Sequence, residues 1–169
     1  MTNTFKKRIY LASPFFNEEE IKRVEFFEQL LRNLGFEVFS PCEQQHEELE
    51  MFSPEWRKAT YQNDIDHLEA CDFVVAIYTG NDMGTAMEIG YAIKQGKKVI
   101  LFHEIDAVPE EEKGVNLMMS NSCTAFLTSC DEVASYDWVN PPSDNWTGKR
   151  YRTNDILVNP FSLFYKLRF

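Results

Sequence analysis

A run of apolar residues, Phe73-Val74-Val75-Ala76-Ile77-Tyr78, is followed after a turn by Asp82-Met83-Gly84-Thr85-Ala86-Met87-Glu88-Ile89-Gly90-Tyr91-Ala92. The run is bounded by turn residues and rich in β-branched and aromatic side chains, so it reads as a buried strand. Beyond the glycine-marked turn, Met87, Tyr91 and Ala92 or Ile93 recur at helical spacing, and Gln95-Gly96 supplies a helix stop. Asp82 therefore sits in or just after a strand-to-helix loop, and Glu88 lies early in the helix. The small residues Gly84, Ala86 and Gly90 leave room for a close approach to the backbone. In an open α/β sheet, ligands bind beyond the carboxyl ends of the strands. Two carboxylates in such a place ask for an explanation.

The same strand-then-helix unit recurs along the chain. Ile9 to Ala12 is a short apolar run stopped by Ser13-Pro14, and Asn17 with Glu20 three residues on is close to a capping box. Ile21, Val24, Phe27, Leu30, Leu31 and Leu34 form an apolar stripe that Gly35 ends. Phe36 to Phe39 reads as a second strand, and Cys42 to Phe52 as a long polar and acidic loop. Ser53-Pro54 opens a helix to about Ala70, with Trp56, Ala59, Tyr61, Ile65 and Leu68 partly buried. Lys97 to Phe102 is a fourth strand, Glu104 to Lys113 an acidic loop and Val115 to Met119 a short helix. Thr124 to Leu127 makes a fifth strand, with a last short helix near Cys130 to Ser135. Strands alternating with helices predict a five-stranded parallel sheet with helices on both faces, an α/β fold. From Asp137 onward the periodicity fails, and residues 152–169 form a C-terminal tail with no place in the sheet, so residues 1–151 are expected to be the domain.

Charge narrows the function. With 169 residues and a formal net charge of -10, the chain is long enough for one sizeable core and wrong in sign for a nucleic-acid backbone. A small neutral ligand such as a nucleoside stays compatible. No stretch approaches the ~20 apolar residues of a membrane helix, and Met1 to Lys7 is polar and runs straight into a strand, so neither a span nor a signal peptide is expected. Cys42, Cys71, Cys123 and Cys130 lack CxxC spacing, which suits reduced thiols in a cytoplasmic protein.

Taken singly, the polar candidates have ordinary readings. Glu88 near a helix start gains from the dipole, which favours its ionised form, but a solvated first-turn glutamate is the commoner reading. Asp82 before a glycine is ordinary turn chemistry. Asp64 in a helix is usually a solvated face, Asp72 a turn residue, and Asn116 the cap of the helix it precedes. Tyr10 in a strand packs in a core with its hydroxyl hydrogen-bonded. Phe15, Phe16 and Trp56 can stack on a base, yet most such aromatics are core. His46, His67 and His103 form no HExxH and no triad, and share no line with the cysteines, so no metal site is expected. The absence of GxGxxG and GxxxxGK[ST] weakens dinucleotide and P-loop readings. Carboxylate chemistry remains.

The conjunction of four stretches is more specific than any one of them. Ile9-Tyr10-Leu11-Ala12-Ser13-Pro14-Phe15, Trp56 through Asp64, Asp82 through Tyr91, and Asn116-Leu117-Met118 together resemble the nucleoside 2-deoxyribosyltransferases, in order and spacing, over roughly Ile9 to Tyr151. The resemblance implies a flavodoxin-like sheet and transfer of 2-deoxyribose between nucleobases with retention, as in nucleoside salvage, with no cofactor because the sugar is carried covalently. By matching position, Glu88 is the implied nucleophile, Tyr10 the residue that holds it in line, and Asp64 the carboxyl that passes a proton to the departing base. Asp82 is implied to bind the sugar hydroxyls, as is Asn116, which in the family reaches in from a neighbouring subunit. Met118 and Gln45, with Phe15 and Phe16, are implied to line the sugar and base pocket. The implied partners are a 2'-deoxyribonucleoside and a free nucleobase, in a homo-oligomer, a hexamer or another dimer-based assembly, whose sites are shared between subunits.

The chain departs from the family at its end. Trp146 to Tyr151 matches a terminus whose tyrosine carboxylate helps to hold the sugar, but here eighteen residues follow, so Tyr151 has no free carboxylate. Its hydroxyl suffices, or the tail rearranges the site, or the tail is foreign to the natural protein. Two other functions share the fold: hydrolysis of the N-glycosidic bond of a nucleoside or its 5'-monophosphate, which needs no acceptor base, and non-catalytic nucleotide binding, which survives loss of Glu88.

Overall fold

The computed structural model describes residues 6–79, 82–104 and 114–139. Tyr151, the 152–169 tail, and the acidic loop apart from Glu104 lie outside the described residues, so the expected domain boundary does too. Five strands form: β1 (Arg8–Ala12), β2 (Glu37–Phe39), β3 (Phe73–Ile77), β4 (Lys98–Phe102) and β5 (Ala125–Leu127). Between and after them come α1 (Glu18–Asn33), α2 (Pro54–Ala70), α3 (Met83–Lys94), α4 (Leu117–Ser122) and α5 (Cys130–Ser135). All four strand pairings are parallel, in the order β2-β1-β3-β4-β5. This is the flavodoxin-like order, whose direction of winding reverses between β1 and β3.

The sheet is dry on both sides because consecutive side chains of each strand enter different cores. Ile9, Leu11, Phe73, Val75, Ile77, Ile100 and Phe102 pack against Val24, Phe27 and Leu31 of α1 and Val133 of α5. Tyr10, Ala12, Val74, Ala76, Val99 and Leu101 pack against Ile65 and Leu68 of α2 and Ile89 and Ala92 of α3. Burying each such aliphatic side chain contributes about 1.5–3 kcal/mol. Tyr10 thus points towards the layer that carries α2 and α3, which decides where its hydroxyl ends up.

Local signals behave as their chemistry dictates. Gly35 and Gly96 follow helix ends with φ of +94° and +73°, the left-handed conformation that closes a helix. Ser53 accepts from Trp56 N at the start of α2. The Arg8 amide donates to Asp72 at 2.6 Å, so Asp72 does tie a turn to β1. At α1 the capping box is displaced by one residue: Asn17 accepts from the Glu19 and Glu20 amides, and the Glu20 carboxylate reaches Phe16 N instead of Asn17 N. All four cysteines are free.

Several expectations are corrected. The stripe on α3 is Thr85, Ile89 and Ala92, while Met87 is 45% exposed. Tyr61 on α2, expected to be partly buried, and Leu34, expected in the apolar stripe of α1, are both exposed. The loop from Cys42 contains part of a single 3-10 turn, Pro41–Glu43, which the proline at its start favours and the Arg32 guanidinium holds by a two-pronged contact with Glu43 at 2.9 and 2.6 Å. The short helix begins at Leu117 and not Val115, because Asn116 is its cap and accepts from Met118 N. Among the described residues, no helix is long and apolar enough to cross a membrane.

Candidate active site

Glu88 is not a first-turn glutamate. It sits in the second turn of α3, between buried Thr85 and Ile89, and is itself only partly accessible. The Tyr10 hydroxyl donates to its Oε1 at 2.7 Å. Tyr10 is fully buried, its ring 5.3 Å from that of Phe39. Burial, with the charges of Glu88 and Asp64 nearby, raises the Tyr10 phenol far above its ordinary range. It therefore stays protonated and acts only as a donor to the carboxylate. Burial also pushes the Glu88 carboxyl up to about 8, against the Tyr10 hydrogen bond, with the Asp64 and Asp82 charges adding to the rise. The dipole of α3, expected to favour the ionised form, is outweighed.

Asp64 comes from the opposite helix. It precedes Ile65 and Leu68, which anchor α2 to the sheet face that carries Tyr10. Burial lifts its carboxyl to about 6, opposed by His67 and His46. Its Oδ1 is shielded from solvent and has no hydrogen-bond partner. Asp82 caps α3, accepting from Thr85 N at 2.6 Å and Gly84 N at 3.4 Å. The ordinary reading of Asp82 is thus correct, yet it also fixes the carboxylate at the rim of the site.

These groups share one cavity of about 450 Å³ at the carboxyl end of the sheet. Glu88, Asp64 and Asp82 line it with Phe15, Phe16 and Gln45. The Gln45 amide is already oriented: Nε2 donates to the Cys42 carbonyl at 2.7 Å, leaving Oε1 to accept. Trp56 Nε1 donates to the main-chain carbonyl of Gln45 at 2.9 Å, so the indole is tied to the backbone that carries the amide. Three carboxylates meet no lysine or arginine in this lining. Among the described residues, no group of three or more His, Cys, Asp and Glu side chains is arranged to hold a metal ion.

Asn116 and Met118 are not in that cavity. They line a neighbouring depression with Tyr78, Met83 and Met119, which meets the first at Asp82. Met118 is 72% and Met83 84% exposed there. Tyr151 falls outside the described residues. The cavity also recruits residues that sequence patterns did not single out for the site, among them Met51, Phe52, Thr60 and Thr85. Thr60 and Thr85 have hydroxyl oxygens shielded from solvent and without a hydrogen-bond partner. A buried hydroxyl of this kind has no signature in helical periodicity. The one available hint was the placement of Thr85 three residues after a capping aspartate, on the side of α3 that must face inward.

Similar proteins are found by sequence and by structure. The family model described as Nucleoside 2-deoxyribosyltransferase matches residues 9–118. A nucleoside deoxyribosyltransferase of Limosilactobacillus fermentum is 33% identical over 172 residues, covering 93% of this chain and 92% of that protein. The structure of a 2-deoxyribosyltransferase from Bacillus psychrosaccharolyticus is 40% identical with a TM-score of 0.71, covering 80% of this chain and 98% of the other. A Clostridium botulinum CMP N-glycosidase shares the fold alone, at 24% identity and a TM-score of 0.53 over 77% of this chain and 100% of the other.

Proposed function

The chain belongs to the nucleoside 2-deoxyribosyltransferase family, and we propose that it transfers 2-deoxyribose between nucleobases by a double displacement through Glu88. The observation that carries this reading is the Glu88 carboxylate, hydrogen-bonded to the hydroxyl of buried Tyr10, in one cavity with Asp64 and Asp82. In the first step Oε of Glu88 attacks C1' of a 2'-deoxyribonucleoside from the face opposite the base. The N-glycosidic bond breaks as Asp64 passes its proton to the departing nitrogen. In the second step an incoming base attacks the deoxyribosyl ester, its ring proton passes to Asp64, and Glu88 is released. Two inversions give retention, the outcome expected when a carboxylate acts as nucleophile at an anomeric carbon.

The remaining residues take supporting roles. Asp82 accepts from a sugar hydroxyl with the lone pairs its capping bonds leave free. The Gln45 Oε1 acceptor and the rings of Phe15 and Phe16 receive the base. A lining with three carboxyl groups and no lysine or arginine supports an uncharged nucleoside over its 5'-monophosphate, since no cationic side chain there offsets the charge of a phosphate dianion. Asn116 and Met118 lie outside the Glu88 cavity, on a face with exposed Met83, which supports a second subunit bringing them to a shared site in a homo-oligomer. The role is nucleoside salvage in the cytoplasm. Glu88→Ala tests the reading: base exchange is expected to fall by several orders of magnitude while the fold survives, and unchanged turnover would refute it.

A further inference from the structure

Phe52 combines three properties that seldom coincide. Its backbone lies at φ +66°, a left-handed conformation disfavoured for a bulky L-residue. Its side chain is 70% exposed, although phenylalanine gains most from burial. It also lines the cavity that holds Glu88 and Asp64. Its ring meets the Trp56 indole at 5.4 Å between centroids and 68° between planes, an edge-to-face corner. A planar ring laid on either face presents its positive edge to the other π-surface, the favoured aromatic geometry. Trp56 is held from behind by its hydrogen bond to the Gln45 carbonyl, so half of this corner is already fixed. An exposed aromatic held in a disfavoured conformation at the mouth of a site is where backbone strain is ordinarily put to use.

We propose that Phe52 is a base-retaining residue: with Trp56 it holds the nucleobase in the cavity between the two displacements and so decides whether a base or water resolves the deoxyribosyl ester. The inference rests on the transfer reading. In transfer, a ring nitrogen bonds to C1' as the C1'–O bond to Glu88 breaks, and the nitrogen's proton passes to Asp64. In hydrolysis, a water oxygen bonds to C1' instead, its proton passes to Asp64, and free deoxyribose leaves. Both resolve the same ester, so the residence of the base sets the ratio. Stacking of a base on an aromatic ring is worth ~10–100-fold in affinity.

The test uses Phe52→Gly and Phe52→Asn, which lose the ring but suit a left-handed backbone, and Phe52→Tyr, which keeps it. Adenine binding by titration calorimetry is read first, because it needs no catalysis. The Gly and Asn variants are expected to bind adenine about 10-fold more weakly than wild type with no loss in melting temperature, and the Tyr variant to match wild type. With deoxyadenosine as donor and a second base as acceptor, the ratio of free deoxyribose to exchanged nucleoside is expected to rise in the Gly and Asn variants only. Unchanged adenine affinity in both ring-less variants overturns the proposal, as does an unchanged product ratio. Wild-type protein that binds adenine but exchanges no base would instead sink the transfer reading, and with it the partitioning role, while the calorimetry still decides whether Phe52 holds the base.

Discussion

The Tyr10 hydroxyl reaches Glu88 Oε1 across 2.7 Å, from a central strand to the second turn of a helix on the sheet face. Strand and helix are each locked by their own core packing, so the carboxylate is positioned by the fold rather than by solvent. A rigid element carrying a reacting group is what positioning for displacement requires.

Tyr10→Phe should expose the worth of that contact. The ring still packs near Phe39, and only the donor disappears. A hydrogen bond to a charged group is worth about 1.5–3 kcal/mol, so kcat/KM is expected to fall roughly 10–100-fold with little change in melting temperature. Steady-state exchange at saturating acceptor checks this, and wild-type turnover would remove Tyr10 from the mechanism.

Activity should depend on pH through Glu88 and Asp64 as a coupled pair. The proposed mechanism needs Glu88 ionised and Asp64 protonated, whereas burial puts their values at about 8 and about 6. The competent form is then a minority arrangement of one shared proton. kcat/KM should rise towards pH 6 as the first proton leaves and fall above pH 8 as the second leaves, both limbs belonging to the pair. A donor whose base departs without protonation should lose the upper limb. A flat profile across this range contradicts the assignment.

Stability should improve when activity is removed. The Glu88 carboxyl lies at about 8 in the fold against an ordinary 4.5, so the folded state holds the proton more tightly. This contribution is therefore fully present below 4.5 and is lost as pH rises to about 8. Glu88→Gln carries no such loss. Its advantage over wild type in denaturant unfolding should grow through that window to on the order of 2 kcal/mol, after allowance for partial solvent screening. An advantage that shrank with pH would reverse the sign and contradict the buried carboxyl.

The proposed sharing of sites between subunits predicts complementation. Asn116→Ser keeps a helix cap for α4 but loses the amide. Each of Asn116→Ser and Glu88→Ala alone should be nearly inactive as a homo-oligomer. After mixed refolding, a fraction of sites should pair an intact Asn116 with an intact Glu88, and exchange should return to a substantial part of wild type. No recovery, with mixed oligomers confirmed by native mass spectrometry, would place Asn116 and Glu88 in the same subunit's site.

Much of this was legible in the chain. Strand runs such as Phe73 to Ile77 are apolar at every position because both sheet faces are covered, and that continuity needs no tertiary knowledge. Asn116 as a cap and Tyr10 as a buried tyrosine with a bonded hydroxyl were readable from residue type and position. The burial of Glu88 was not. Periodicity favoured Met87 as the inward residue, yet α3 turns Thr85 and Ile89 to the core and leaves Met87 out. The rotation of a helix with few large apolar residues is set by what it packs against, here Tyr10 and α2. Phe52 was hidden for a similar reason. Its positive φ runs against the preference of a bulky L-residue, so residue type gives no sign of it.

In the proposed mechanism Glu88 carries the sugar between two bases. Acid quench of the enzyme mixed with excess 2'-deoxyribonucleoside and no acceptor, followed by peptide mass spectrometry, tests it most directly. One deoxyribosyl group is expected on the peptide containing Glu88, released with retention when a free base is added before the quench. An unmodified Glu88 peptide while exchange proceeds at full rate, or the sugar found on Asp64 or Asp82, would contradict it.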